Sequence, residues 1–396
     1  MTTALLAPAP PEQQRLSLTP QRLLPGHRVR LLFGGVEAYP AMLDAIATAR
    51  TEIALETYIW ASDANGRRFV DAVCIKAQEG VRVRCVIDGA GSFGFSGADV
   101  ARMRAAGVLL SIFHPVGPWR ARWGWQVRDH RKLLIVDGRV AFAGGMNLGD
   151  DYAPKAWGGH GWNDVHMQVE GPVLRDIRRL FEETWIYATP ENWNPDEALP
   201  APGASTEIVP VHGSTTRVQA LAVGRFLARR SVQHHFEHAM LAARHRIWIE
   251  AAYFIPNRAL RGALKHAARR GVDVRVTVPR YSDIPGLTHA SQYTWASLLK
   301  SGVAIYEWLP GMLHGKTLTI DGAWSAVGSY NLDSRSLLYN WEIALEVLDE
   351  RVAEQLDQKF RDDLEFCEKV DPALWKKRSL WQRLRERFFY VFRTWL

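Results

Sequence analysis

One pattern of polar residues occurs twice in this chain of 396 residues and constrains its fold more than any other feature. The stretch RDHRKLLIVDGRVAFAGGMN covers residues 128–147, and LHGKTLTIDGAWSAVGSYN covers residues 313–331. A single His-x-Lys-x4-Asp pattern arises by chance in roughly one chain in twenty of this length. Two copies with matching flanks and one constant offset of 184 positions are not explained by chance. The coinciding pairs are His130 and His314, Lys132 and Lys316, Asp137 and Asp321, Gly145 and Ser329, and Asn147 and Asn331.

The similarity between the two halves extends beyond these motifs. TEIALETYIW at 51–60 resembles HRIWIEAAYFI at 245–255 and pairs Glu56 with Glu250, while a glycine turn followed by an apolar strand also recurs. The chain is therefore interpreted as two tandem copies of one unit. The predicted segments are 1–22, a loosely ordered N-terminus; 23–187, the first unit; 188–216, a linker; 217–370, the second unit; and 371–396, a basic, aromatic, amphipathic C-terminal helix.

Each unit alternates apolar segments of strand length with segments of helical character. This alternation predicts parallel strands with helices on their faces. The predicted fold is α/β, with two pseudo-symmetric α/β/α units that each contain a mixed, largely parallel sheet. The active site is expected at the interface between the units.

Composition narrows the class of protein. A hydrophobic fraction of 47% with 23% charged residues indicates a globular chain. Three widely separated cysteines argue against a disulfide framework and a structural zinc site. The net charge of +7 suits an anionic partner, either nucleic acid or an acidic membrane. No apolar run approaches 18 residues and no signal peptide is apparent, so a membrane protein of this sequence is expected to lie on the bilayer surface.

The doubled motif predicts a site for a phosphate diester. Side chains two positions apart on a strand point the same way, so His130 and Lys132 share a face, as do His314 and Lys316. If the two units meet at these faces, four cationic or potentially cationic groups converge on one pocket. The sequence offers no metal-ligand cluster beside them, and neither a metal nor another cofactor is expected.

Histidine suits this chemistry because its ordinary pKa lies near 6.5. A neutral imidazole can attack phosphorus while a protonated one donates a proton to the leaving alkoxide. The lysines are expected to hold the non-bridging oxygens, and Asn147, Ser329 and Asn331 to donate further hydrogen bonds. Asp137 and Asp321 are expected to orient a histidine or to close a local hydrogen-bond network.

These residues together resemble the doubled motif of the phospholipase D superfamily, and the resemblance covers roughly residues 25–370. It implies a covalent phosphohistidine mechanism without metal. It also implies His130 as nucleophile and His314 as general acid, although the symmetry of the sequence leaves the two roles open.

The flanking segments resemble bacterial cardiolipin synthases of the branch without N-terminal transmembrane helices. The similar stretches are 29–60, 162–174 and 328–347, the last including Asn340 and Glu342. Glu342 is accordingly expected among the residues that bind substrate. The resemblance implies transfer of a phosphatidyl group between anionic phospholipids, with phosphatidylglycerol as substrate and phosphatidylethanolamine as a further candidate. Gly145 departs from the family pattern, which has serine, and removes one hydroxyl donor from the first half of the site.

Several residues keep two interpretations. Glu56 and Glu250 close buried strands and either line the pocket or form structural ion pairs. Asp164 and His166 share a strand face and are candidates for the pocket. The basic, aromatic insertion before the first histidine, including residues 119–126, is expected to form a lid or rim loop.

The C-terminal segment is typical of a helix that lies in a membrane interface. Its apolar residues recur at helical spacing, and seven Lys or Arg residues accompany one Glu. We expect peripheral attachment to the inner (cytoplasmic) membrane through this helix; the alternative is a helix docked on the protein's own core. A phospholipase D-type hydrolase or a nuclease remains the alternative activity, although nucleic acid is not the expected partner. A non-enzymatic binding module is disfavoured because both motifs retain every His, Lys and Asp.

Overall fold

The computed structural model describes residues 10–117, 126–189, 210–224 and 230–395. The first unit follows a short helix, α1 (Pro11–Gln14). Its elements are β1 (Arg28–Phe33), α2 (Gly35–Thr48), β2 (Glu52–Thr57), α3 (Ala64–Gln78), β3 (Arg82–Asp88), α4 (Gly97–Ala105), β4 (Leu109–Phe113), β5 (Leu133–Val136), β6 (Val140–Gly144), β7 (Val165–Glu170) and α5 (Leu174–Ala188).

The second unit repeats this order, with an additional short helix before its last long strand and an additional short strand at its end. Its elements are β8 (Arg217–Val223), α6 (Ser231–Ala242), β9 (Arg246–Ala251), α7 (Arg258–Arg269), β10 (Asp273–Pro279), α8 (Leu287–Leu299), β11 (Ala304–Trp308), β12 (Lys316–Ile320), β13 (Trp324–Gly328), α9 (Ser334–Leu338), β14 (Glu342–Leu348), α10 (Glu350–Leu364) and β15 (Cys367–Lys369). Two further helices follow, α11 (Pro372–Lys376) and α12 (Leu380–Val391).

Each unit contains one mixed sheet, which confirms the predicted fold class. The first sheet has the order β1-β7-β6-β5-β2-β3-β4 and the second β15-β11-β10-β9-β12-β13-β14-β8. Parallel pairing is confined to β2-β3-β4 and to β9-β10-β11. The other pairs are antiparallel, so the parallel share is smaller than the sequence led us to expect.

A tight hairpin in each unit accounts for this difference. The apolar stretch after Lys132 is not one strand, because Asp137 and Gly138 both have positive φ, at 52° and 60°, and reverse the chain between β5 and β6. Asp321 and Gly322 do the same between β12 and β13, at 53° and 66°. Two successive residues in the left-handed region make a turn that matches the twist of antiparallel strands.

The two sheets share a hydrophobic core, which brings the two units face to face. One continuous cluster combines first-unit side chains such as Leu133, Ala143 and Met167 with second-unit side chains such as Val327 and Ile343. All five are buried. Separate clusters fill the outer layers of the first and second units between sheet and helices. The shared core holds the β5-β6-β7 region of one unit against β13 and β14 of the other.

The N-terminal segment is more ordered than predicted. Residues 10–22 pack on the second unit, where Leu16 joins the hydrophobic core and Arg15 forms an ion pair with Asp321 at 2.7 Å. The physical reason is the apolar and basic side chains of this stretch, which find a complementary surface there. Residues 1–9, most of the segment between α5 and β8 and residues 118–125 of the rim loop lie outside the described residues.

The C-terminal segment forms two helices rather than the single one predicted. Ser379 begins α12 as its N-cap, because its hydroxyl accepts a hydrogen bond from the backbone N–H of Gln382 at 3.2 Å. One face of α12 docks on α8, where Tyr390 stacks on Tyr293 with ring centroids 4.3 Å apart. Within the described ranges, no helix combines the length and apolar character needed to cross a bilayer.

Candidate active site

Each motif histidine is held in place by the opposite unit. The backbone N–H of His130 donates to the carbonyl of Trp341 at 3.0 Å, and the backbone N–H of His314 donates to the carbonyl of Asn163 at 2.6 Å. Isolated β-bridges join the adjacent residues in the same two places, Asp129 with Trp341 and Leu313 with Asn163. The backbone of each histidine segment therefore pairs with the opposite unit, and the two pairings are equivalent.

A carboxylate of the second unit orients His130. The Nδ1 atom of His130 lies 3.0 Å from Glu342 Oε2, and a carboxylate only accepts hydrogen bonds, so Nδ1 carries the proton. Ser329, Ser336 and Asn340 also donate to this carboxylate, at 2.5, 2.6 and 3.3 Å. Because Nδ1 is occupied, Nε2 of His130 is the nitrogen left to act as a base or nucleophile.

His314 has the mirror arrangement with a carboxylate of the first unit. Its Nδ1 atom lies 2.7 Å from Asp164 Oδ2, and its Nε2 atom lies 3.4 Å from the hydroxyl of Tyr152. The rings of Tyr152, Trp162 and Tyr253 surround the imidazole with centroids 5.2, 5.7 and 6.1 Å away. Asp164, a candidate from the sequence, therefore contacts the site directly.

The two motif lysines are buried beside the histidines. The ammonium of Lys132 donates to the carbonyl of His130 at 2.5 Å and lies 5.2 Å from the ring centroid of Tyr58. The ammonium of Lys316 donates to the carbonyl of His314 at 2.6 Å and lies 3.0 and 3.2 Å from its two ring nitrogens. Each lysine thus places its ammonium next to the histidine of its own motif.

Burial shifts the pKa values of these groups strongly. Burial, assisted by the charge of Lys132, lowers the pKa of His130 to about 4, and burial with the charge of Lys316 lowers that of His314 well below 6.5. Burial also lowers the pKa of Lys132 to about 7 and raises that of Asp164 to about 6. For Glu342, burial is outweighed by the hydrogen bond and charge of His130, and its pKa falls below the ordinary value. In the protein without substrate, both imidazoles are therefore neutral near pH 7.

The motif aspartates lie at the opposite end of the strand from the lysines. Asp137 follows β5, about 16 Å along the chain from Lys132 at ~3.3 Å per residue. Its carboxylate accepts hydrogen bonds from the backbone N–H groups of Arg50, Thr51 and Glu52 at 2.8–3.2 Å. Asp321 accepts equivalent bonds from residues 244–246. Both aspartates close local networks that anchor the hairpins, and neither contacts a motif histidine.

The carboxylate of Asp164 explains why the first motif has Gly145 where the family pattern has serine. A Cβ atom added at Gly145 would lie 2.3 and 2.6 Å from the two carboxylate oxygens of Asp164. The corresponding Ser329 instead donates its hydroxyl to the longer Glu342 side chain. The first half of the site therefore combines Gly145 with Asp164, whereas the second half combines Ser329 with the longer Glu342.

The motif asparagines Asn147 and Asn331 are buried near the motif histidines. The side-chain N–H of Asn147 donates to the Tyr152 hydroxyl at 2.8 Å, so Asn147 acts on His314 through Tyr152. Asn331 is buried, its Oδ1 has no hydrogen-bond partner among the described atoms, and it borders a small cavity of about 10 Å³ together with Lys316 and Glu250. A cavity of that size holds one water molecule.

The buried strand glutamates form ion pairs behind the pocket. Glu56 lies 3.9 Å from the guanidinium of Arg131 and accepts a hydrogen bond from Thr184 at 3.0 Å. Glu250 accepts a hydrogen bond from Lys359 at 2.9 Å. Burial raises the pKa of both acids. Of the two interpretations left open, the contacts favour the structural ion pair.

The second polar residue of the Asp164 strand does not share its role. His166 is buried in β7, neither of its ring nitrogens has a hydrogen-bond partner among the described atoms, and burial lowers its pKa to about 4. A Cβ atom added at Gly144 would lie 2.6 Å from its Nδ1 atom. His166 therefore packs as a neutral ring against the motif strand.

Four aromatic residues at the site were not anticipated, and Trp162 is one of them. Tyr58 stands at 4.9 Å from the His130 ring, while Tyr152 and Tyr253 contact the His314 ring. Tyr58 and Tyr253 both follow the strands that carry Glu56 and Glu250, but at positions that differ by one: the repeat places Ala252 opposite Tyr58. Tyr152 lies in a loop with no counterpart in the aligned segments. In the parts of the chain that the structure describes, no group of three or more His, Cys, Asp or Glu side chains is arranged to hold a metal ion.

Comparison with known proteins identifies the family. A family model described as "Cardiolipin synthase, PLD-like domain" matches residues 42–185 and 236–364, one segment in each unit. A probable cardiolipin synthase of Bacillus subtilis is 33% identical over 364 residues, which cover 92% of this chain and 71% of that protein. Cardiolipin synthase A of Pseudomonas putida is 34% identical over 347 residues, 88% of this chain and 70% of that protein.

The chain belongs to the cardiolipin synthase family. It is accordingly an enzyme, a phosphatidyltransferase with phospholipase D-like units. The fold of this chain also resembles that of a phosphatidylserine synthase of Haemophilus influenzae, with a TM-score of 0.70 and 14% identity. The similarity covers 97% of this chain and 99% of that one. At this identity, the second comparison bears on the fold alone.

Proposed function

We propose that the protein transfers a phosphatidyl group from one phosphatidylglycerol molecule to a hydroxyl of a second, releasing glycerol, through a phosphohistidine intermediate. The observation that carries this proposal is the pair of imidazoles whose Nδ1 atoms are each held by a carboxylate of the opposite unit. Each histidine thereby keeps its Nε2 atom free of a carboxylate partner, and each motif holds a buried lysine beside its histidine. The charges of His130 and Lys132 act on His314, so the two motifs lie close together. Phosphoryl transfer needs a nucleophile and a proton donor in such a relation.

In the first step, Nε2 of His130 attacks phosphorus of the donor lipid. The P–N bond forms as the bond from phosphorus to the headgroup oxygen breaks, and His314 gives its Nε2 proton to the leaving alkoxide. Because the pKa of His130 is about 4, its imidazole is neutral and nucleophilic at physiological pH. Its Glu342 partner stabilises the positive charge that the ring acquires.

His314 must hold a proton when the donor is bound. Among protein groups alone, burial and Lys316 keep its pKa well below 6.5. A phosphodiester anion placed beside the imidazole offsets the charge of Lys316 and raises this pKa. Donor binding is therefore accompanied by uptake of a proton, and the hydrogen bond to Asp164 favours the imidazolium that results.

In the second step, the proton moves in the opposite direction. His314, now neutral, removes the proton of the accepting hydroxyl, whose oxygen bonds to phosphorus while the P–N bond to His130 breaks. Water in place of a lipid hydroxyl would yield phosphatidic acid. The ammonium groups of Lys132 and Lys316 stabilise the non-bridging oxygens in both steps.

The C-terminal helices support attachment to an anionic membrane surface, and we propose the inner (cytoplasmic) membrane as its location. The apolar side chains predicted to meet the bilayer are all exposed: Leu374 65%, Trp381 82%, Leu384 56%, Phe388 59%, Val391 62% and Trp395 60%. Exposed basic residues flank them, namely Lys376, Lys377, Arg383, Arg385 and Arg387. An exposed apolar face rimmed by cations is suited to an interface that is both apolar and anionic.

The decisive experiment is incubation with defined phospholipids and analysis of the products by mass spectrometry. Cardiolipin and glycerol are expected from phosphatidylglycerol, whereas phosphatidic acid as the sole product would identify a hydrolase. Phosphatidylethanolamine added as a second lipid tests the alternative acceptor. Cleavage of nucleic acid without any lipid product would contradict the proposal.

Variants of the two histidines test the mechanism. His130→Ala and His314→Ala are each expected to abolish turnover while the circular dichroism spectrum and melting temperature remain near those of the parent protein. With labelled donor lipid, His314→Ala is expected to accumulate label on His130, because loss of the base slows the second step. Label on His314 in the His130→Ala protein would reverse the assigned roles.

A further inference from the structure

Among the residues that the structure describes, an exposed carboxylate lies close to His314. Asp283 lies in the segment 280–286 between β10 and α8, and its side chain is exposed. The hydroxyl of Tyr253 donates to both of its carboxylate oxygens, at 2.8 and 2.9 Å, and the Ser282 hydroxyl lies 3.3 Å from one of them. Tyr253 is buried, and its ring centroid is 6.1 Å from that of His314. A single side chain therefore separates the Asp283 carboxylate from His314.

The negative charge of Asp283 reaches the catalytic groups. It favours the protonated forms of His314 and Lys316, and it contributes to the raised pKa values of Tyr152 and Tyr253, for which burial is the largest cause. A carboxylate at this distance repels the phosphate groups of any lipid substrate. Its position is therefore unfavourable for substrate binding unless it also contacts a part of the substrate that donates hydrogen bonds.

Within the described ranges, the segment of the first unit that corresponds to 280–286 has no exposed carboxylate of this kind near His130. The strand equivalent to β10 is β3, and it ends at Asp88, which is fully buried. One oxygen of Asp88 accepts from the backbone N–H groups of Ala90 and Gly91, and the other accepts from the backbone N–H of Asp129. Both oxygens of Asp88 therefore hold the loop before His130, whereas the exposed carboxylate of Asp283 can accept hydrogen bonds from a ligand.

We propose that Asp283, held by Tyr253, selects the accepting alcohol by accepting hydrogen bonds from its headgroup. The inference rests on the proposed role of His314, which receives the proton of that alcohol and so defines the side on which the alcohol enters. A carboxylate accepts and cannot donate, and it can take two hydrogen bonds at once. The second hydroxyl of a glycerol headgroup and the ammonium of ethanolamine both supply this donor chemistry, whereas a simple alcohol has no donor beyond the reacting hydroxyl.

The test is an internal competition between three soluble alcohols. Vesicles of phosphatidylglycerol are incubated with enzyme and equal concentrations of deuterated glycerol, ethanolamine and 1-propanol, and the three phosphatidyl products are counted by mass spectrometry. The product ratios do not depend on the amount of folded enzyme, so a loss of stability does not imitate a loss of selectivity. Asp283→Asn is compared with the parent protein, and Asp44→Asn, an exposed carboxylate on α2, is the matched control.

The parent protein and Asp44→Asn are expected to prefer glycerol over 1-propanol, and Asp283→Asn to reduce this preference roughly tenfold. Tyr253→Phe, which frees the carboxylate from its anchor, is expected to reduce it by a smaller factor. A fall confined to the ratio of ethanolamine to propanol would identify the ammonium as the recognised donor. Parent-like ratios for Asp283→Asn with both alcohols would overturn the inference and leave Asp283 as a tether of its loop. Failure of the proposed function is a separate result, since it would show as label on His314 or as the absence of any transfer.

Discussion

At the scale of single residues, the pocket combines two neutral imidazoles with two lysines whose charges are weakened by burial. Lys132 is the more informative of the two lysines, because its pKa of about 7 lies within the accessible pH range. Loss of its proton removes a positive charge that the phosphodiester requires. The free enzyme therefore binds the donor best below pH 7.

The value of kcat/KM is accordingly expected to fall as pH rises above about 7. Arginine stays protonated throughout this range, so Lys132→Arg is expected to move the fall to higher pH even if the larger side chain lowers the maximal rate. Measurement of kcat/KM from pH 5 to 10 in mixed micelles tests this. Lys265→Arg on α7 is the control, and an unchanged alkaline midpoint in Lys132→Arg would assign the fall to another group.

Gly145 is a second residue at which the local geometry makes a prediction. Gly145→Ala places a methyl group against the Asp164 carboxylate and displaces the partner of His314. A misplacement of about 1 Å costs on the order of a hundredfold in turnover. Initial-rate assays are expected to show a loss of that size with little change in donor KM. Gly262→Ala, where a Cβ meets nothing within 4 Å, is the control and is expected to retain full activity.

At the scale of elements, α12 presents two faces with different tasks. Phe389 faces α8, where a Cβ added at Gly286 would lie 2.3 Å from its ring, and Tyr390 accepts a hydrogen bond from Arg261 at 3.0 Å. Trp381 and Phe388 point away from the protein. The alternatives of a membrane helix and a docked helix therefore do not exclude one another: one face docks, and the face predicted to meet the bilayer remains exposed.

Substitutions on the two faces are expected to separate stability from membrane binding. Trp381→Ser and Phe388→Ser should each weaken sedimentation with anionic vesicles on the order of tenfold while the melting temperature is unchanged. Phe389→Ala should lower the free energy of unfolding by about 1 to 2 kcal/mol. Deletion of residues 374–396 should release the protein from vesicles and spare activity on a short-chain soluble donor. A truncated protein that still sediments with vesicles would refute the assignment of the membrane contact to this helix.

At the scale of the whole molecule, each half of the chemistry depends on both units. Glu342 of the second unit orients His130 of the first, and Asp164 of the first orients His314 of the second. Packing of the two sheets through a common core sets this crossed arrangement. Relative displacement of the units would therefore break both histidine–carboxylate pairs together.

The crossed pairs predict opposite kinetic defects for two conservative changes. Glu342→Gln should slow the appearance of label on His130, because the ring loses the charge that stabilises it as it attacks. Asp164→Asn should allow label to form and then to persist, because His314 is a poorer base in the second step. Rapid-quench measurement of labelled protein distinguishes the two. Identical time courses in both variants would indicate that the carboxylates act on one common step.

Much of this architecture was determined by the sequence itself. All residue pairs of the doubled motif share one offset of 184 positions, which indicates two similar units. The His-x-Lys spacing on a strand places each lysine beside its histidine, as found for Lys132 and Lys316. Alternation along a strand and repetition along a chain are local properties, so they survive in the order of residues.

Tertiary structure decided what the order of residues does not contain. Which carboxylate holds which histidine depends on contacts between residues 212 and 150 positions apart, and the pairing crosses the units instead of following the motifs. The motif aspartates are removed from the chemistry by a turn at Asp137, and Gly145 is explained only by the Asp164 carboxylate above it. Likewise, the proximity of Asp283 to His314 arises from the packing of Tyr253 between them. Local spacing sets which groups a strand presents, whereas long-range packing sets the partners they meet.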